Sequence, residues 1–278
     1  MNKIIVAICL ILQSTTIFAK PIKIVTSTTP VAAIVSMILP QEAKIEAINI
    51  SNGCPHHYQG KISDRQKLNN ADYFIYINKK FDSFAVRMLN HFNGEIIQIS
   101  DISTVNFASD YNDKNWHFWL NLDNVLTVQK HVAELLIKHH PHLEQEILEK
   151  QNLAKKKITS LQLSAKNVFN NLPTLLLTND SLEHLFIKNN IKISYFKQQK
   201  LLSLKQYQDL QHILTDGTKY CIVTDSDQKR ELYNQYKHPV IALNSENWSV
   251  SNDFVDYSYM YEKHYLEILK KLKGCNLN

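Results

Sequence analysis

Short apolar runs alternate with amphipathic ones along most of the chain. IKIVTST (22–28) is a short apolar run rich in β-branched residues, the pattern of a buried strand. VAAIVSMIL (31–39) follows as a helix, and AKIEAINI (43–50) alternates with the two-residue period of a strand. SDRQKLNNA (63–71) opens on Ser63, a good N-cap residue, and predicts a short helix. DYFIYIN (72–78) is a strand, FDSFAVRMLNHF (81–92) a helix and EIIQIS (95–100) a fourth strand. This alternation predicts a parallel sheet with helices on both faces.

Residues 123–140 predict one helix, and Pro141 is placed to open another. Leu143, Ile147, Ala154, Ile158, Leu161, Ala165, Val168 and Leu172 then recur as one apolar stripe. A helix over 141–171 would be about 46 Å long, and Pro173 marks its end. Beyond it the alternation resumes. Strands are predicted at 174–179, 192–196, 220–225 and 239–244, and helices at 180–190, 203–215, 226–236 and 258–273. The predicted architecture is α/β: two lobes, residues 20–140 and 172–278, each with a mainly parallel sheet flanked by helices. The rigid helix 141–171 joins them.

The first residues change the picture. Lys3 precedes an apolar run from Ile4 to Leu12, and Ile17-Phe18-Ala19 leads into Lys20-Pro21. This is the layout of a secretory signal peptide, residues 1–19, with cleavage after Ala19. The run is too short to span a bilayer as a mature helix. Cys9 lies within it, without the small residues expected before a lipidated cysteine. Export places the remaining cysteines, Cys54, Cys221 and Cys275, in an oxidising compartment. Three allow at most one internal bridge, and sequence alone does not choose the pair. Cys54, beside two histidines, is the one expected to be free. The net charge of +5 is mild and spread along the chain, which argues against a nucleic-acid partner.

The loop GCPHHYQGKI (53–62) carries the first candidate chemistry. It is not a phosphate loop: six residues separate Gly53 from Gly60, and Ile62 stands where a hydroxyl would hold magnesium. The chain has no dinucleotide fingerprint, no nucleophile elbow and no His-Glu-x-x-His zinc helix. What remains is a loop carrying Cys54, His56 and His57 after a strand, on the edge where open α/β sheets bind ligands. Imidazole suits zinc and related metals; the plainer reading is an exposed turn. NWHFWL (115–120) sets His117 between two tryptophans ahead of a helix. His117 is either a core histidine bonded to a backbone carbonyl or a metal ligand shielded by aromatics.

Together these motifs resemble the periplasmic metal-binding proteins of bacterial zinc and manganese ABC importers. CPHHYQGKISDRQKLNNADYFIYIN is similar to the family's first ligand motif, with His56 at the ligand position. NWHFWLN is similar to its second, with His117 as ligand. The resemblance implies no enzyme but a monomeric binding protein of the periplasm. Its expected cargo is a divalent ion, Zn2+ before Mn2+, delivered to a membrane permease of the importer. It implies a disulfide between Cys221 and Cys275. In the second lobe the family's third and fourth ligand positions fall on Asn179 and Asn244, amides rather than stronger ligands. An acidic residue often found after the preceding strand corresponds to Asp225.

Two explanations compete. Either the site is rebuilt using Cys54, His57, Asp180, His184 or Asp225, or the protein has lost tight metal binding and serves another ligand or partner. A zinc hydrolase using His56, His117 and Asp225 lacks any motif for a positioned base. His139, His140 and His142, around Pro141, read as exposed side chains or a weak accessory metal patch.

Overall fold

The structure is a computed structural model that describes residues 20–49, 58–109, 114–187, 189–197, 202–226, 230–246, 248 and 256–276. The segment with Cys54, His56 and His57 and the expected signal peptide lie outside the described residues.

The first sheet contains β1 (Ile22–Thr28), β2 (Ala43–Asn49), β3 (Tyr73–Tyr76) and β4 (Glu95–Gln98), in the order β2-β1-β3-β4. The second contains β5 (Thr174–Leu177), β6 (Ile193–Tyr195), β7 (Tyr220–Asp225) and β8 (Val240–Leu243), in the order β6-β5-β7-β8. Every pairing is parallel. The two sheets thus share one topology. In each, the order reverses beside the first strand, between β1 and β3 or between β5 and β7. Such switch points open ligand crevices at the carboxyl edge of a sheet.

The helices are α1 (Thr29–Ser36), α2 (Ile62–Asn69), α3 (Ser83–Val86), α4 (Leu122–His139), α5 (Glu144–Phe169), α6 (Glu183–Phe186), α7 (Leu204–Thr215) and α8 (Tyr257–Leu272). The connector is shorter than its apolar stripe predicts. Pro141–Leu143 form a single 3-10 turn, and α5 proper has 26 residues, about 39 Å. The stripe itself is buried as expected, through Ile147, Ala154, Ile158, Leu161, Ala165 and Val168.

Helix α8 belongs in sequence to the second lobe but packs on α1 of the first, as well as on α5. Its Tyr257 is buried against Ala32 and Ala47. One apolar core therefore runs through both lobes, from Ile34 and Phe118 to Leu182 and Tyr261.

Three expected helices are cut down. FDSFAVRMLNHF forms only α3 and a 3-10 turn at Leu89–His91, although Phe84, Ala85 and Met88 still face the core. Residues 180–190 form a 3-10 turn at Asp180–Leu182 and the single turn of α6. Over 226–236 the described residues hold one 3-10 turn, Glu231–Tyr233. There only Tyr233 is buried, and one anchored side chain gives no apolar stripe to hold a longer helix. Nor is Ser63 the N-cap of α2. Lys61 holds that position, and the buried Asp64 carboxylate accepts the Lys61 N–H at 2.7 Å.

The expected disulfide is present: Cys221 on β7 bonds Cys275 just beyond α8, at a sequence separation of 54. Both cysteines are wholly buried. No described helix is long and apolar enough to cross a membrane.

Asp82 is fully buried ahead of α3. Its Oδ2 accepts the backbone N–H groups of Ile77 at 2.6 Å and Asn78 at 3.1 Å, which fixes the turn after β3. Oδ1 has no partner. Burial pushes the carboxyl up to about 7, against the lowering effect of those N–H donors. In the unfolded chain an aspartate titrates near 3.9.

Between about pH 4 and pH 7, then, the folded protein holds a proton that the unfolded chain has released. Stability is expected to fall as pH rises through that window and to level off above it. Asp82→Asn should flatten the slope, read as the difference in urea midpoint between about pH 5 and about pH 7.5. A variant as pH-dependent as the wild type would contradict this. Separately, replacing both Cys221 and Cys275 by Ser is expected to cost about 4 kcal/mol in denaturant unfolding, from the freed loop entropy.

Candidate metal-binding cleft

His117 sits at the mouth of the first lobe, one residue before a 3-10 turn (Phe118–Leu120) that leads into α4. Asn115 sets its orientation. The Asn115 Oδ1 accepts the His117 backbone N–H at 3.0 Å and lies 2.8 Å from Nδ1. With Nδ1–H held there, Nε2 is the nitrogen that faces the cleft. Phe81 and Trp119 pack edge-on against the ring, at centroid distances of 5.7 and 5.1 Å. His117 is buried, but its Nε2 is met from the other lobe: Glu246 Oε1 lies 2.5 Å away.

Glu246 stands on the loop after β8, and that loop is anchored on both sides of it. The Ser245 carbonyl accepts the Trp119 indole N–H at 2.8 Å, and the Ser245 hydroxyl donates to Asp225. Beyond Glu246, Trp248 is buried against Tyr261 at 5.6 Å and His264 at 5.0 Å. These contacts fix the carboxylate opposite the imidazole.

Asn115 also ties its own lobe to the other. Its Nδ2 donates to the Asp180 carbonyl at 2.5 Å, and its carbonyl lies 2.8 Å from His184 Nε2. His184 is wholly buried, and burial lowers its pKa. Glu183, beside it, is buried and accepts the Ser109 hydroxyl and, at 3.3 Å, the Tyr195 hydroxyl.

The remaining second-lobe candidates serve the loops. Asn179 follows β5 and accepts the Ser181 N–H at 2.9 Å, capping the turn at Asp180–Leu182. Asp225 ends β7 and accepts from Ser181 Oγ at 3.0 Å, the Ser226 N–H at 2.6 Å and Ser245. Asn244 is half-buried at the start of the Glu246 loop. Among the described residues no three His, Cys, Asp or Glu side chains already surround one metal position. His117 and Glu246 supply two donors. Asn49, the last described residue before the segment with His56, pairs with Thr28 at the carboxyl edge of β1.

Glu246 and Asn115 are absent from the candidates read off the sequence. The signal for Glu246 was an acid two residues past Asn244 in the same loop. The family's ligand spacing falls on the amide, two residues short of the acid. Asn115 appears in the quoted motif NWHFWLN, but spacing alone does not say that it orients His117.

The family model described as zinc-uptake complex component A, periplasmic (ZnuA), matches residues 24–270. Protein RP014 of Rickettsia prowazekii (strain Madrid E) is 36% identical over 264 residues, covering 94% of this chain and 86% of its own length. The manganese ABC transporter substrate-binding lipoprotein PsaA of Streptococcus pneumoniae is 30% identical over 165 residues, 55% of this chain and 53% of the relative. The solved structure of the periplasmic zinc binding protein TroA from Treponema pallidum has the same fold. Its TM-score is 0.75 at 14% identity, over 94% of this chain and all of that one.

Proposed function

Because the chain belongs to the family of periplasmic zinc-uptake components, solute-binding proteins of metal ABC importers and not enzymes, we propose that it captures zinc between its lobes and delivers it to a membrane permease. The observation that carries this reading is the His117 Nε2–Glu246 Oε1 approach of 2.5 Å across the lobes. Imidazole and carboxylate are both zinc donors.

In this mechanism the incoming ion takes the place of the direct imidazole–carboxylate contact. His117 and Glu246 become ligands, and His56 supplies a third from the first-lobe loop. Asn115 fixes the His117 tautomer, as an outer partner of a metal-bound histidine does. Asp225 and Asn179 act through the loops they hold. Asn244 and Cys54 are further donors within the same two loops. Histidine donors favour zinc over manganese, which prefers oxygen. The packing of α8 on α1 keeps lobe movement small during capture and release. Export through residues 1–19 brings the protein to the compartment where it meets the ion.

Calorimetric zinc titration of chelator-stripped protein tests the reading. The wild type is expected to bind one tight equivalent, and His56→Ala, His117→Ala and Glu246→Gln should each abolish tight binding. Asn115→Ala should weaken it about 10- to 100-fold. Tight binding that survives Glu246→Gln would remove that residue from the site. Absence of tight binding in folded wild-type protein would end the zinc reading.

A further inference from the structure

A second group of donor side chains lies at the opposite edge of the first sheet from the cleft. Tyr73 and Glu95 begin β3 and β4 and are paired in register. His139 is the last residue of α4, and His140 caps it. The Tyr73 hydroxyl lies 3.1 Å from His139 Nδ1 and 2.9 Å from His140 Nε2, so both imidazoles converge on one oxygen. His139 Nδ1 is also 3.2 Å from Glu95 Oε2. The His142 ring stands 6.2 Å from that of His140. The Tyr73 ring is buried beneath these groups, while the side chains of His139 and Glu95 are about a third exposed, at 31% and 39%.

We propose that His139, His140 and Glu95 form a second divalent-metal site, separate from the cleft. Its ligand is an imidazole-preferring transition ion such as Zn2+ or Ni2+.

Three features support it. First, donors about 2.1 Å from a tetrahedral zinc stand about 3.4 Å apart, close to the His139–Glu95 separation. Second, α4 is an 18-residue helix ending at this point, and the partial negative charge of its carbonyl end favours a cation. Third, two imidazole nitrogens, both donors suited to transition ions, meet on the one Tyr73 oxygen.

The donors are not closed around a point in advance. Tyr73 Oη stands between the two rings, and an entering ion must displace it. The site is therefore weaker than a preformed one, with water completing the coordination shell. It depends on no residue of the cleft, so it stands or falls independently of the zinc-capture reading.

Equilibrium dialysis of the chelator-stripped chain against Zn2+, Ni2+ and Mn2+, with metal counted per chain, tests the site. The wild type is expected to bind one zinc beyond the cleft equivalent, to bind nickel there, and to bind no manganese there. The double variant His139→Ala/His140→Ala should lose this equivalent and keep the cleft one, whereas His117→Ala should do the reverse. If the double variant does not fold, Glu95→Gln, at a half-exposed position, should weaken the second equivalent about tenfold, the effect of losing one ligand interaction of about 1.4 kcal/mol. A wild type with no second equivalent, or one that persists in both variants, would overturn the proposal. Loss of the cleft equivalent alone would count against the capture reading and leave this one standing.

Discussion

Trp119 donates its indole N–H to the Ser245 carbonyl of the second lobe and accepts the Tyr261 hydroxyl of α8 on its own carbonyl, at 2.8 and 2.7 Å. Its ring packs on His117, Phe81 and Phe118. The residue is buried, so the partners of its indole N–H and its backbone carbonyl must come from the protein, and both come from the opposite lobe. The position of Glu246 relative to His117 follows from this. Shifting the lobes apart would strand the indole N–H and the Tyr261 hydroxyl without water, at roughly 1–3 kcal/mol per group. The cleft geometry is thus built into the core.

That constraint explains why two copies of one topology make a single site. Each sheet alone has a switch point, the place where open α/β sheets bind ligands. With the two carboxyl edges facing, the β1–β3 side contributes the approach to His117, and the β7–β8 side contributes Asp225 and the Glu246 loop. Serine hydroxyls at 181, 226 and 245 gather on Asp225, so this carboxylate holds three segments together. The one that faces the imidazole is a different residue.

Much of the architecture was legible because strand periodicity is strong in this chain. β1 and β7 begin and end where their apolar runs do, and the other strands lose only one or two residues at the ends. The α5 stripe and the α4 helix were equally plain. Helices supported by a few apolar contacts were not. Residues 226–236 have helical spacing but one buried anchor, and the segment after β3 is governed by Asp82, whose carboxylate takes two backbone N–H groups that no pattern of hydrophobicity records. His117 was found because a histidine among tryptophans needs a partner. Glu246 was not, because its partner lies 129 residues away in sequence.

From sequence, the amides at 179 and 244 left two readings open, a rebuilt metal site or the loss of tight metal binding. Their places in the fold bear on the proposed site. Asn179 is occupied with the N-cap of a turn, a task that aspartate and asparagine perform about equally well. Its neutrality there costs the fold nothing. Asn244 marks where β8 gives way to the loop, and Glu246 stands two residues along it. Glutamate's longer side chain spans that displacement and meets Nε2 directly. In the proposed site the second lobe thus offers His117 one carboxylate, that of Glu246. A neutral amide at 244 also leaves Glu246 without a second anionic neighbour at that position, and two carboxylates so close would repel each other before any ion arrived.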